Sequence, residues 1–259
     1  MSATQRLITT VGRAFPDSVR PHVVAAYRPL LHRGTGVACP VCGHRFSGFL
    51  EHRGHPDVRC PRCGSMERHR LLWLWLRAET DFFDAPLRVL HFAPEFGFQR
   101  RFSRMENLDY RTADLTSGLA DEHFDITSIP HPDASFDVVL CNHVLEHVPD
   151  DRTAMTELRR ILRPGGWAVV MCPIAAGLET TFEDPSIASP DERLESYGQE
   201  DHARLYGADY AGRLRAAGFE VEVVDYLGRL PASAVSLHKL RQHHRRFTDD
   251  LIHVARVPA

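Results

Sequence analysis

The sequence predicts an α/β protein in which a parallel sheet, covered by helices on both faces, follows a small four-cysteine module. Two observations support this architecture. From residue 87 onward, short apolar runs alternate with helical patterns, which is typical of strands joined by crossover helices. Before residue 67, two C-x-x-C pairs occur in a stretch that is too short to build an apolar core of its own.

The bulk composition is that of a globular chain with one large domain and an appendage. The chain has 259 residues, of which 43% are hydrophobic and 25% are charged, and its net charge is −3. This balance does not favour nucleic acid or anionic membranes as general partners. The first residues lack the apolar core of a signal peptide and no run matches a membrane span, so we expect a cytoplasmic protein. The oligomeric state stays open.

The first module, residues 37–66, carries the strongest local pattern. Its two C-x-x-C pairs are separated by 17 residues, and each is followed by a glycine that permits a tight turn. Four thiolates close a tetrahedral shell around a metal ion, which is typical of a structural zinc ribbon; iron is the main rival. The remaining two cysteines lie in apolar runs and are predicted to be buried thiols. The predicted zinc ligands are Cys39, Cys42, Cys60 and Cys63.

Two further segments adjoin the ribbon. Residues 1–36 have a helical pattern of unclear role, and residues 67–86 connect the ribbon to the main domain. The connector begins with a helix over 66–79 whose apolar face should dock the ribbon onto that domain. Arginines exceed acidic residues by eight to four over 31–80, a mild excess that an ordinary solvated surface explains without RNA. The apolar face consists of Leu71, Leu72, Trp75 and Leu76.

The main domain, residues 87–259, reads as alternating strands and helices. A helix over 150–166 has Asp150 or Asp151 as its N-cap and should end at Pro164-Gly165-Gly166. A second helix should end near Gly218, and the last two strands should pair with each other. Strands are predicted over 87–93, 108–115, 135–144, 167–174, 219–228 and 249–258, and the second helix over 210–219.

The run "DITSIPHPDASFDVVLCNHVLEHVPDDRTAMTELRRILRPGGWAVVMCP" resembles the centre of class I S-adenosylmethionine-dependent methyltransferases of the type-11 kind. The resemblance covers about residues 87–258. More narrowly, "CGSMERHRLLW" resembles bacterial proteins that place a two-knuckle zinc ribbon before such a domain. The family implies a Rossmann-like, doubly wound, seven-stranded sheet that is mostly parallel with an antiparallel last strand.

The resemblance also implies a cofactor site at the carboxyl ends of the strands. Asp114 would accept hydrogen bonds from both ribose hydroxyls, and Asp125 with the Ile126 amide would contact adenine, although a plain turn residue is the other interpretation of Asp125. Asn142 and His143 would face the methionine or methyl side. The full predicted set is His91, Phe92, Ala93, Glu95, Gly97, Asp114, Leu115, Asp125, Ile126, Asn142 and His143.

The first loop, "VLHFAPEFGF", departs from the family. Where relatives usually have an acid and two glycines, this chain has His91, Ala93 and Glu95, with Pro94 between the last two. Proline lacks an amide donor, so a pyrophosphate would be poorly held. S-adenosylmethionine carries no phosphate, and Glu95 could face one of its cationic groups.

The segment "HVLEH" (143–147) matches the H-x-x-E-H pattern of some zinc proteases. It follows a strand in a Rossmann-like order, and the methyltransferase resemblance accounts for it without a metal. We therefore do not predict a catalytic zinc there.

A long segment, residues 177–207, is predicted to be a substrate lid, and a solvated loop is the other interpretation of its individual residues. Through residue 206 it holds eight acidic residues against two arginines, which favours a cationic or amine-bearing substrate. His202 is the leading candidate for a general base, with His143 second, because imidazole titrates near neutrality. The predicted substrate-binding residues are Tyr197, Gln199, Asp201 and Tyr206.

Together these patterns predict a methyltransferase that uses S-adenosylmethionine on an O, N or S atom of a small molecule. One alternative is RNA methylation with the ribbon as the RNA reader. Another is a non-catalytic module that keeps the fold and binds the cofactor, with the ribbon as a protein dock. The altered first loop also leaves open chemistry other than methyl transfer on the same cofactor.

Overall fold

The computed structural model describes residue 30 and residues 32–241, 246–248 and 250–259. The predicted N-terminal helical segment, 1–36, lies largely outside these ranges; its last four residues belong to the first strand and not to a helix. Within the described ranges, none of the helices combines the length and the apolar character needed to cross a membrane.

Two small antiparallel hairpins form the N-terminal module. The first pairs β1 (Arg33–Cys39) with β2 (His44–Phe46), and the second pairs β3 (Leu50–His52) with β4 (His55–Arg59). Gly43 and Gly64 follow the two C-x-x-C pairs, and both have φ of +72°, a conformation that favours glycine. Each donates its amide to the first cysteine carbonyl of its knuckle, at 2.9 and 3.0 Å. The first hairpin begins at Arg33, four residues before the predicted start of the ribbon at residue 37.

The connecting helix α1 (Glu67–Glu79) docks this module onto the main domain, as its pattern predicts. Its four apolar residues are 0–3% exposed. Trp75 packs edge-on against Trp167 of the sheet, with ring centroids 6.0 Å apart. Trp73 stacks on Phe102 at 5.7 Å, so both faces of the helix contact buried aromatic rings.

A seven-stranded sheet forms the centre of the main domain and confirms the predicted fold class. The strands are β5 (Leu87–Phe92), β6 (Leu108–Asp114), β7 (Glu122–His123), β8 (Phe136–Cys141), β9 (Leu162–Val169), β11 (Glu220–Asp225) and β13 (Leu251–Arg256). Their order in the sheet is β11-β13-β9-β8-β5-β6-β7. The last strand, β13, runs antiparallel to both neighbours, and the other pairs of this sheet are parallel. A separate short pair joins β10 (Ile174–Ala175) to β12 (Phe247–Thr248).

Both faces of the sheet are buried, and successive residues of each strand point to opposite faces. Val89 packs on the side of α1, whereas Leu90 packs on the side of the helix that follows β8. Cys141 and Cys172 are buried thiols, as predicted. The helices of the main domain are α2 (Phe96–Phe102), α3 (Asp151–Ile161), α4 (Pro190–Tyr197), α5 (Tyr210–Ala216) and α6 (Ala232–His238), with single 3₁₀ turns at Leu145–His147 and Leu227–Arg229.

One helix end differs from its prediction. Asp150 caps α3 by accepting the Thr153 amide at 3.0 Å, but the helix ends at Ile161 instead of at Pro164-Gly165-Gly166. β9 begins directly at Leu162 and contains the Pro-Gly-Gly stretch. The residue before a proline is biased toward extended backbone, which ends a helix earlier than the proline itself.

Candidate functional site

The four cysteines converge in the N-terminal module, and all are buried. The Sγ atoms of Cys39 and Cys63 are 3.6 Å apart, and those of Cys42 and Cys60 are 3.8 Å apart. Sulfurs bonded tetrahedrally to one zinc ion lie about 3.8 Å from each other, whereas a disulfide brings them to about 2 Å. The spacing therefore fits a closed, structural zinc site.

Both cysteine knuckles pack against α2, the helix that follows β5. A Cβ atom on Gly97 would lie 3.0 Å from the Cys63 carbonyl oxygen. Arg101 of α2 donates its Nε proton to the Val41 carbonyl at 2.9 Å. Gly97, predicted as a cofactor residue, thus has a packing reason of its own, which is the close approach of the ribbon.

The end of β5 carries a buried polar cluster. His91 is fully buried, and its Nε2 lies 2.8 Å from Glu95 Oε2 while its Nδ1 hydrogen-bonds the Tyr110 hydroxyl at 2.8 Å. From the ribbon side, His69 Nε2 of α1 lies 3.6 Å from Glu95 Oε1. Burial alone would raise the pKa of Glu95, but the neighbouring His91 lowers it to about 2. Glu95 is therefore an anion held among histidines.

Two loops at this edge of the sheet have left-handed backbone at residues other than glycine. Ala93 follows β5 with φ of +46°, and His143 follows β8 with φ of +54°. Their amides bond to the Ala113 carbonyl at 2.9 Å and the Met171 carbonyl at 2.8 Å. Such conformations cost about 1–3 kcal/mol and cluster at functional sites. Both residues flank the position where a Rossmann-like sheet binds its ligand.

The predicted ribose and adenine residues lie at the end of β6 and in the turn beyond it. Asp114 Oδ1 accepts the Thr116 and Ser117 amides at 2.8 and 2.7 Å. Its Oδ2 accepts no hydrogen bond from the described residues, so this oxygen could still accept a hydroxyl donor. The adjacent Leu115 is 65% exposed and offers apolar surface at the same edge.

Asp125 and Ile126 have different surroundings. The carboxylate of the exposed Asp125 accepts the Thr127 amide and hydroxyl, each at 2.8 Å, as a turn residue does. Ile126 is 6% exposed and packs in the same apolar cluster as Phe92. The backbone of this turn, rather than the Ile126 side chain, is what a ligand could contact.

The end of β8 brings two further predicted residues beside the β5 cluster. Asn142 is 6% exposed; its Nδ2 lies 3.4 Å from Glu95 Oε1, and its Oδ1 is buried with no partner among the described residues. His143 Nδ1 lies 3.2 Å from Glu146 Oε1. Burial would raise the pKa of Glu146, but the hydrogen bond from His143 and the charges of His143 and His147 together outweigh burial, so the net effect is a lowered pKa.

The predicted lid residues divide between pocket and core. Tyr197, Gln199 and His202 line a pocket, and exposed Asp201 contacts His147 at its edge, with Oδ2 3.2 Å from Nδ1. Tyr206 lies elsewhere: it is fully buried, and its hydroxyl donates to Asp151 Oδ2 at 2.7 Å. The fold uses Tyr206 to satisfy a buried carboxylate, which leaves it no face toward a ligand.

Arg204 anchors the lid to the domain. It is 3% exposed, and Nη1 donates to the Leu145 and Val148 carbonyls at 2.9 and 2.5 Å. Its Nε donates to Glu183 at 2.9 Å. One of the eight acidic residues of the lid, Glu183, therefore pairs with one of its two arginines, Arg204.

The pocket itself has a volume of about 470 Å³ and lies where the lid, the end of β8 and the ribbon meet. The β3–β4 hairpin contributes His52, Arg53 and His55 to its wall, and the start of α1 contributes Met66 and Arg68. Sequence reasoning missed these residues, although the paired histidines of "HRGH" were a visible signal. The ribbon is thus part of the pocket wall as well as a docked module.

His202 is the predicted base that the fold buries most completely. It is 2% exposed, and neither ring nitrogen has a hydrogen-bond partner among the described residues. Burial lowers its pKa, so the ring is neutral near pH 7 and one nitrogen has a free lone pair. Its ring meets that of His147 edge-on, with centroids 4.7 Å apart.

Comparison with known proteins agrees with the predicted family. Residues 88–170 match the family model described as a methyltransferase domain. The 27-O-demethylrifamycin SV methyltransferase of Amycolatopsis mediterranei is 32% identical over 128 residues, which cover 48% of this chain and 43% of that protein. A methyltransferase of Mycolicibacterium paratuberculosis is 27% identical over 173 residues, covering 67% of this chain and 64% of the relative. The chain therefore spans less than two thirds of either curated relative.

Among solved structures, the [4+2]-cyclase SpnF has a TM-score of 0.52 at 18% identity, and the match covers 97% of both chains. At this identity the likeness shows a shared fold.

Proposed function

Since the chain carries a methyltransferase domain of the S-adenosylmethionine-dependent class, we propose that it methylates an O, N or S atom of a small molecule. The observation that carries this proposal is the pocket of about 470 Å³ beside His143, at the carboxyl edge of the sheet. Small-molecule pockets typically have about 300–1,000 Å³. Walls on three sides favour a compact acceptor over a polymer.

The residues at the strand ends suit S-adenosylmethionine, which supplies an electrophilic methyl group when bound. Asp114 Oδ2 is available for a ribose hydroxyl. The buried, unpartnered Asn142 Oδ1 is an acceptor that an ammonium group would satisfy. Glu95 adds a half-buried negative charge on the same side, which would stabilise a cationic ligand.

His202 and His143 are the candidate proton acceptors for the incoming nucleophile. His202 lines the pocket with unpartnered ring nitrogens, and His143 presents an unpartnered Nε2 there. Alignment of the acceptor by the pocket walls supplies most of the rate enhancement in this class of reaction, and proton removal adds to it.

The ribbon supports this function by a second role. We propose that its cysteines hold zinc, and that the folded ribbon closes one side of the acceptor pocket. The His52–His55 turn reaches the pocket only while both hairpins are folded, and the metal supplies folding energy that this short module lacks. RNA methylation would instead require an accessible basic surface leading to the methyl donor.

The decisive experiment separates these alternatives in two steps. Calorimetry with S-adenosylhomocysteine should show binding to the intact chain, and Asp114→Ala should weaken it about 10- to 100-fold, since a hydrogen bond to a charged group contributes about 1.5–3 kcal/mol. Asp133→Ala, an exposed carboxylate beyond the cofactor edge, is the matched control and should bind normally.

A cell extract is then supplied with S-adenosylmethionine that carries a labelled methyl group. Label in the low-molecular-weight fraction supports the proposal, and label in RNA supports the alternative. Cofactor binding without any labelled product would favour a non-methylating protein, and absence of S-adenosylhomocysteine binding would overturn all three.

A further inference from the structure

Three potential metal ligands from two distant segments meet in the acceptor pocket. Glu146 and His147 come from the turn after β8, and His202 comes from the lid. One ligand atom of each lies within 4.8 Å of the other two, and all three residues line the same pocket. Among the described residues, only this group and the four cysteines bring three such atoms together.

Two of the three residues keep buried polar atoms without partners. Glu146 is 2% exposed; His143 contacts its Oε1, while Oε2 has no hydrogen bond from any described residue. In His202, also 2% exposed, both ring nitrogens lack partners. An unsatisfied buried polar atom costs about 1–3 kcal/mol, so a ligand that satisfies these atoms together would be strongly favoured.

Neighbouring side chains orient Glu146 and His147 through the atoms that would not bind a ligand, as happens in metal centres. His147 Nδ1 lies 3.2 Å from Asp201 Oδ2, which leaves Nε2 to face a ligand. His143 holds Glu146 in the same way, through Oε1. In metal sites, carboxylates and carbonyls characteristically hold the outer nitrogen of a ligating imidazole, and ligating carboxylates are themselves hydrogen-bonded.

We propose that Glu146, His147 and His202 bind a divalent first-row transition metal ion such as Zn²⁺. Two imidazoles and one carboxylate suit these ions, whereas Mg²⁺ and Ca²⁺ prefer oxygen ligands throughout. Three protein ligands leave a coordination position open, in contrast to the closed shell of the four cysteines.

This assignment changes the interpretation of "HVLEH". The two histidines of the motif do not share one face of an α-helix as metal ligands would. His143 has a left-handed backbone conformation, and residues 145–147 form only a 3₁₀ turn. His143 is a positioning residue for Glu146, and the second imidazole ligand comes from the lid. If the proposed methyl transfer is correct, the oxygen, nitrogen or sulfur of the acceptor would fill the open coordination position of the metal ion. His202 would then be a metal ligand, and His143 would remain the candidate base.

The test measures metal binding without cofactor or acceptor. The full chain, with its cysteine site already loaded with zinc, is dialysed against Zn²⁺, and zinc per chain is measured by mass spectrometry. Wild type should hold two ions per chain, and Glu146→Gln and His202→Ala should hold one. His55→Ala changes another histidine of the same pocket and should retain two.

A second readout guards against misfolding. Added Zn²⁺ should raise the melting temperature of wild type and His55→Ala, because a ligand that binds the native state stabilises it, but not that of His202→Ala. His143→Gln should still bind the second ion, about 10- to 100-fold more weakly.

One zinc per chain in wild type would overturn the proposal, as would a second ion that survives Glu146→Gln and His202→Ala or that disappears equally from His55→Ala. Since neither S-adenosylmethionine nor an acceptor is present, failure of the methyltransferase proposal would leave these results unchanged.

Discussion

Arg70→Met should be among the most destabilising substitutions in the ribbon–domain interface. Arg70 is fully buried and donates four hydrogen bonds to backbone carbonyls: those of Val58 and Ser65 in the ribbon at 2.8 and 2.7 Å, and those of His238 and Lys239 beyond the sheet, both at 2.7 Å. Methionine fills most of the volume but donates no hydrogen bond.

The expected magnitude follows from those four carbonyls. A buried acceptor that loses its donor costs about 1–3 kcal/mol. Taken at the lower end of that range, the four carbonyls sum to about 4 kcal/mol. Ser65 O contributes least, because it keeps the Cys60 amide as a donor. This is a large part of the total stability of a typical domain, which is about 5–15 kcal/mol.

Tryptophan fluorescence is a direct assay, because all three tryptophans of the chain lie at this interface and are 3–7% exposed. Urea unfolding with zinc present gives the free energy of unfolding for wild type, Arg70→Met and Arg100→Met. Arg100 is an exposed arginine of α2, and its replacement should change stability by no more than about 0.5 kcal/mol. If Arg70→Met lost less than about 1 kcal/mol, the hydrogen bonds would not hold the interface together, and the reasoning would be refuted.

Three other predictions address the ribbon and the sheet. Cys60→Ser should abolish retention of zinc by the ribbon and expose the interface tryptophans, as seen by a red-shifted emission; unchanged zinc content at the cysteine site would contradict the four-thiolate assignment. Gly97→Val should cost about 1–3 kcal/mol of unfolding free energy, because its side chain would press on the Cys63 carbonyl, whereas Gly212→Ala in α5, where a Cβ meets open space, should be neutral or stabilising. Burial lowers the pKa of His253 to about 4, so between pH 6.5 and 4 the unfolded chain binds more protons than the folded one and stability falls as the pH falls, by about 3 kcal/mol in all. His253→Phe should flatten this dependence in urea titrations across that range, and an unchanged slope would show that the histidine is protonated in the fold.

Local patterns determined the architecture of this protein. Short apolar runs between helical patterns placed the strands of the sheet, because the strands of a parallel sheet are buried on both faces. The C-x-x-C spacing predicted a metal module, since four thiolates on two tight turns can share one ion. Boundaries were less certain: α3 ended earlier than its Pro-Gly-Gly signal, because the backbone before a proline already favours extension.

The position of the candidate site residues in the fold was predictable only for those that follow strand ends. Asp114 and Asn142 lie at the carboxyl edge of the sheet because topology places all parallel strand ends there. Within the lid, composition could not distinguish Tyr197, which lines the pocket, from Tyr206, which satisfies a buried carboxylate. That choice depends on which groups each side chain meets after folding.

Tertiary structure alone decided which distant residues share an environment. The sequence determined that a four-cysteine module precedes a Rossmann-like α/β domain. It did not determine that this module forms part of the pocket wall, or that the close approach of Cys63 requires glycine at position 97. Nor could spacing bring His202 to Glu146, because the two belong to segments that no local period connects. Secondary structure follows from short-range periodicity, whereas the meeting of these side chains follows from how helices, hairpins and lid pack over one edge of the sheet.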